Sequence, residues 1–226
     1  MPGWVVSRSR DRDSEAAGNC PPAWYSSQMM TCAYAGEPLT EPRSHPWVDV
    51  VGKPECRYYD LTAHPERIRT SIEDFRTWSH YAAVEGFYEL LERLNEPQST
   101  LESNDCAFSG PGENDHLAID KPLQCSGRLM VLFRLLAHNT ERVRMARLES
   151  DLHRELSTSD PSFRWGMVGS TVIPVHYRAL PGSAAQQLGS QLMLSFWAWG
   201  DSEADTMQNL GRVVENLSRA LSAVTA

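Results

Sequence analysis

The segment Gln191-Leu192-Met193-Leu194-Ser195-Phe196-Trp197-Ala198-Trp199 constrains the fold more than any other part of the chain. In an extended strand, alternate side chains point to opposite faces. Leu192, Leu194, Phe196 and Ala198 then share one face, and Trp197 and Trp199 the other. Both faces are apolar, so something must cover each of them. A helix follows directly. Ser202-Glu203-Ala204-Asp205 resembles a capping box with Asp in the Glu position. Met207, Leu210, Val213, Val214, Leu217, Leu221 and Val224 then give a continuous helical stripe. Trp165, Trp197 and Trp199 either fill the core under this helix or line a ligand pocket or partner surface, where Trp is enriched.

The same alternation runs through Trp165–Tyr177, with Met167, Thr171, Ile173, Val175 and Tyr177 on one face. Pro181-Gly182-Ser183 lies between the two strands, which predicts an antiparallel hairpin. Pro174 marks an edge or a bulge. Upstream, Gly127–Ala137 is apolar and reads as a central strand. Met145, Leu148, Leu152 and Leu156 predict a helix over 141–157, capped by Asn139 or Thr140. Ala83, Phe87, Leu90, Leu91 and Leu94 predict another from Ser79 to Asn95, stopped by Pro97. His64-Pro65-Glu66 starts an earlier helix, with Pro at its first position. Short extended pieces are expected at Arg57–Leu61, at Cys106–Phe108 and from His116 to Pro122, with a turn at Ser109–Gly112.

Residues 1–55 read differently. Charges alternate from Arg8 to Glu15, and prolines recur at Pro21, Pro22, Pro38, Pro42, Pro46 and Pro54. Such a stretch buries too little to offset its conformational entropy. The expected organisation is a flexible N-terminal arm over 1–55 and a single α+β domain over 56–226. The domain is expected to be an antiparallel sheet of four to five strands with helices packed on it. Its order of helix, helix, strand, strand, helix, strand, strand, helix resembles the element order of type III secretion chaperones over about 160 residues.

Composition restricts the partners. The 226 residues carry 21 Lys and Arg against 29 Asp and Glu, a net charge of −8. A nucleic-acid partner is not expected, because phosphate binding calls for a basic surface. No run reaches the roughly 18 apolar residues of a membrane helix, and the N-terminus lacks a secretory apolar stretch. No membrane association is expected, and a cytoplasmic location is. The five cysteines are an odd number, widely spaced and without CxxC, so neither a disulfide framework nor a zinc ribbon is expected. No two histidines stand four apart on a helix, and no metal site is indicated. The sequence implies no particular cofactor. The phosphate-loop, dinucleotide, HExxH and GxSxG motifs are absent.

The densest chemistry lies between Glu102 and His116. Glu102, Asp105 and His116 offer two carboxylates and an imidazole for acid–base work or for a hard cation. A plain hydrophilic loop is the alternative. Cys106 is a nucleophile only with a histidine beside it. His176 projects from its strand into a pocket or onto a half-buried face. Arg134 interrupts an apolar run and needs a partner. That partner is an anionic ligand group, or Glu102 or Asp105.

Two functional readings follow. One is a binding or interaction protein: chaperone-, immunity- or adaptor-like, or a small-ligand carrier. It would take a protein partner or a small anionic ligand, with Arg134, Trp197 and Trp199 in contact. The alternative is a small cytoplasmic enzyme using Glu102, Asp105 and His116 with Arg134 or His176. Convergence of these side chains in one pocket separates the two.

Overall fold

The computed structural model describes residues 31–34, 43–46, 60–71, 73–116, 118–178, 180 and 185–225. The regular elements are β1 (Thr31–Tyr34), β2 (Arg43–His45), α1 (Ile68–Ser71), α2 (Ala82–Leu94), β3 (Leu101–Glu113), β4 (Leu123–Phe133), α3 (Arg142–Ser159), β5 (Gly166–Tyr177), β6 (Gln187–Gly200) and α4 (Glu203–Thr225). Strands β3, β4, β6 and β5 lie side by side in that order, each antiparallel to its neighbour. The class is α+β, as expected.

Two more strands extend the sheet. β1 pairs in parallel with Met167–Ser170, and β2 pairs in parallel with Val175–Tyr177. Both come from the stretch read as an arm, so the sheet has six strands rather than four to five. The rest of that stretch lies outside the described residues, as does most of the strand expected from Arg57. Asp60–Ala63 form a turn in which Asp60 Oδ1 accepts from the amides of Thr62 and Ala63. Pro174 falls between the intervals of β5 that pair with β1 and β2. A residue without an N–H thus sits between the two paired intervals.

All three long helices pack on one face of the sheet. α4 lies in the middle, flanked by α2 and α3. Beneath it Leu192, Leu194, Phe196 and Ala198 are wholly buried, as is Leu217 above them. Ser202 caps α4 by accepting from the Asp205 amide at 3.2 Å. Asp205 reaches back one residue further than a capping box requires, to the Asp201 amide at 2.9 Å. α3 has no side-chain cap. Asn139 is used elsewhere: its amide bridges the N–H and the C=O of Phe133, both at 2.8 Å, and seals the end of β4. β3 does not turn at Ser109–Gly112 but continues with a bulge there. A Cβ on Gly110 would stand 2.1 Å from the Trp78 ring, so glycine lets that indole lie against the edge strand. Bulges, Pro111 and Trp78 together blunt the edge that β3 presents.

Leu217→Ala is expected to cost ~2–5 kcal/mol, because a fully buried leucine leaves a cavity between α4 and β6. Chemical denaturation measures it. A chain beginning at Lys53 lacks β1 and β2 and is expected to melt several degrees below the full chain. Equal melting temperatures would show that the two parallel strands contribute nothing.

Candidate functional site

The face of the sheet turned away from the helices carries Trp197 and Gln191 of β6, Met130 and Leu132 of β4, and Ile173 and Tyr177 of β5, as strand register requires. It is strongly curled at one end. β2 and β3 are separated by three strands, about 19 Å in a flat sheet. Yet His45 of β2 lies with its Nδ1 only 3.1 Å from Asn104 Nδ2 of β3. The face must therefore be concave there. The register shift between Ser103 and Asp105 supports this, since a bulge bends its strand and re-aims the extra residue, here Asn104.

Inside this curl sits a polar cluster. Asn104 donates one amide hydrogen to His45 Nδ1 and the other to Gln191 Oε1, also at 3.1 Å. An accepting Nδ1 makes His45 a neutral imidazole protonated on Nε2. That nitrogen stands 4.0 Å from Glu102 Oε1, too far for a strong hydrogen bond. Burial lowers the pKa of His45 below the usual imidazole value and raises that of Glu102 above the usual carboxylate value. Both shifts are in the direction of the neutral forms. Tyr177 completes the cluster. Its ring centroid lies 5.5 Å from that of His45, its hydroxyl donates to Ser190 O at 2.8 Å, and burial raises its pKa. Thr62 Oγ1, 3.4 Å from Glu102 Oε2, ties the cluster to the Asp60 turn. Leu132, Val175, Tyr177 and Leu180 form a small second core beside it.

The other end of the same face is aromatic. Gln124, Trp199 and Trp165 lie in line across β4, β6 and the start of β5: Gln124 is Trp199's cross-strand partner, and the Trp199 amide donates to Trp165 O at 3.0 Å. The next row holds Ser126, Trp197 and Met167. Lys121 Nζ lies 4.4 Å from the centre of the Trp165 ring and is ion-paired to Asp201. The His116 ring stands edge-on to Trp199 at 5.9 Å. Trp197 is half-buried and Trp165 is 37% exposed. Trp199 is buried, and its Nε1 has no hydrogen-bond partner.

The sequence candidates are dispersed. Glu102 is in the polar cluster. Asp105 is on the same face but engages Arg128, Nη2 to Oδ2 3.2 Å. His116 lies beyond the far end of β3, roughly 30 Å along the strand from Glu102. His176 alternates with Tyr177 and faces the helix side of the sheet. Cys106 is on that side too, packed against the main core. Arg134 falls just past β4. Its Nη2 donates to Glu96 O at 2.7 Å, while its Nε is buried without a partner, and its charge pulls the Glu102 pKa down against the larger effect of burial. A cleft of about 290 Å³ opens between the C-terminal ends of α2 and α4, lined by Leu90, Arg93, Glu96 and Leu221 among others, and none of the candidates lines it.

His45, Asn104, Gln191 and Tyr177 were not identified from sequence as site residues. A second unread network lies under α3. Ser170 Oγ donates to Glu149 Oε1 at 2.6 Å, which leaves it to accept from His153 Nε2 at 2.7 Å. Glu149 and Ser170 are buried, and burial lowers the His153 pKa. Glu149 and His153 stand four apart on α3, a spacing that would have placed them on one face.

Among the described residues, the buried polar side-chain atoms without a partner are Asn104 Oδ1, Gln124 Oε1, Trp199 Nε1 and Arg134 Nε. The first three belong to the concave face and the last to its rim. Among the described residues, no group of His, Cys, Asp and Glu is arranged to hold a metal ion, and no helix is long and apolar enough to cross a membrane. Comparison with family models, curated proteins and solved structures gives no match. The resemblance to type III secretion chaperones therefore rests on element order alone, and no residue role is carried over from it.

Buried His45 and half-buried His153 make a pH prediction. With folded pKa values below the usual imidazole value of about 6.5, each binds fewer protons in the folded than in the unfolded chain. Their contribution is complete above that pH and is lost as pH falls through the window just beneath it. Glu102 acts in the opposite sense: its raised pKa stabilises the fold below about pH 4.5 and is lost as pH rises through the folded value. Denaturation midpoints should drop between about pH 7 and about pH 5.5, and the drop should be smaller in His45→Gln and His153→Gln. Identical slopes in wild type and both variants would refute the assignment.

Proposed function

We propose that the protein works by binding, through the concave face of its sheet, rather than by catalysis. The observation that carries this reading is the distribution of unpartnered polar atoms. A buried donor or acceptor left unmade costs about 1–3 kcal/mol. The described orphans gather on or beside one face, while the helix-covered face has none. Half-buried Trp197 and partly exposed Trp165 stand at the open end of that face, and tryptophan gives large contact area at little entropic cost. The role is that of a carrier, adaptor, immunity or chaperone-like protein.

The enzyme alternative is supported by the approach of His45 to Glu102 and by their opposed pKa shifts, which is how acid–base sites are tuned. Against it stand the 4.0 Å separation and the dispersal of Asp105, His116 and His176.

A thermal-shift screen of metabolites and peptides separates the two. For a binding protein, compounds that raise the melting temperature lose their effect in Trp197→Ala, keep it in Glu102→Gln and are recovered unchanged. Hits that are converted by the wild type, with conversion abolished by Glu102→Gln or His45→Gln, would establish the enzyme instead.

A further inference from the structure

We propose that the aromatic end of the concave face is a seat for a neutral carbohydrate ring, with one of its hydroxyls bridging Trp199 and Gln124. The inference rests on the binding reading above and specifies its ligand. Trp199 Nε1 is a donor without an acceptor, and Gln124 Oε1 is an acceptor without a donor. The two residues are direct cross-strand partners, side chains on the same face, in register. The Gln124 amide is held in that orientation from its other end, where Nε2 donates to Asp115 Oδ1 at 2.6 Å. A hydroxyl is the smallest organic group that accepts from one such atom and donates to the other at once.

The surroundings select a ring rather than an isolated alcohol. Trp197 lies one row along the same strand and Trp165 sits beside Trp199 in the ladder. Indole faces match the apolar C–H faces of a pyranose, whose hydroxyls point outward to polar partners. Charge argues against an anion at this end. Lys121 is already paired to Asp201, and Asp115 adds a carboxylate at the rim. A carboxylate or phosphate ligand would meet like charge there, whereas sugar hydroxyls donate readily to carboxylates. Trp199 Nε1 and Gln124 Oε1 are both closed to solvent in the free protein, so the seat opens only if a covering group moves, and the imidazole edge-on to Trp199 makes His116 that group in this proposal. A single ordered water would also satisfy the two atoms, but it would leave the exposed indoles without a role.

The test titrates the full-length protein with glucose, galactose, mannose, N-acetylglucosamine and their short oligomers. Tryptophan fluorescence and saturation-transfer NMR of the sugar C–H protons are the readouts. The expected result is saturable binding of at least one of these sugars, weakened tenfold or more, about 1.4 kcal/mol, by Trp197→Ala and by Gln124→Met. Trp78→Phe, against the edge strand and away from the proposed seat, should bind as the wild type does. Gln124→Met keeps length and apolar bulk, so it reports on the acceptor even if Trp197→Ala folds poorly. No saturable binding of any of these sugars up to about 50 mM overturns the proposal. Binding insensitive to both substitutions does so too. If non-carbohydrate ligands bind in a Trp197-dependent manner instead, the carbohydrate inference fails while the binding reading stands. If nothing that binds depends on this face, both fail.

Discussion

Everything in this fold depends on covering β6 from both sides. The strand is central, with β4 and β5 as its hydrogen-bonded neighbours, so its backbone needs nothing further. Its side chains do. On one side Leu192, Leu194, Phe196 and Ala198 meet α4, which is joined to β6 by only a short turn and whose apolar stripe matches the strand in length. Burying a leucine or phenylalanine side chain is worth about 1.5–3 kcal/mol, so this contact is a large contribution to stability. α2 and α3 then brace α4 from either side, and the rest of the main core follows from their placement.

On the other side no helix among the described residues answers, and the sheet curls. The bulge at Asn104 and the addition of β1 and β2 to the free edge of β5 bring opposite edges of the sheet within side-chain reach. The curl buries Met130, Leu132 and Tyr177 without an intervening helix. Burial shifts both His45 and Glu102 in the direction of their uncharged forms, the response expected where two ionisable groups are desolvated for one long contact.

Elements with a strong period were legible in the sequence. α4 and α2 follow from unbroken stripes, and the β5–β6 hairpin from alternation around a Pro-Gly turn. What was illegible was short or non-local. β2 is three residues long, inside a proline-rich stretch, and parallel pairing leaves no turn signature to betray it. His45 therefore read as part of an arm. Asn139 read as a helix cap because Asn is common there, yet the amide serves two Phe133 backbone groups instead, a use that only the three-dimensional turn makes available. The segment from Glu102 to His116 looked like one cluster because its residues are close in sequence. As a strand it spreads them along its length and onto two faces, and of the candidates read there only Glu102 joins the polar closure, beside Asn104. Alternation put Trp197 and Trp199 opposite Leu192, Leu194 and Phe196, as they are, but left open whether they fill the core under the last helix, a place the leucine face takes instead.

The contrast between the two faces has a thermodynamic consequence. Small domains are stable by only about 5–15 kcal/mol, so several orphaned polar atoms are a large fraction of the margin. A fold tolerates that only where a second core carries the burden, and here the helix-covered face does so without Asn104, Gln124 or Trp199 contributing to it. On the binding reading proposed above, stability and recognition lie on opposite sides of one sheet. A substitution that removes an orphan, such as an apolar residue at Gln124, should stabilise the free protein even as it removes the acceptor offered to a polar ligand. That opposition distinguishes a face shaped for binding from one that is merely imperfectly packed, because repairing a packing defect improves stability without any loss of affinity.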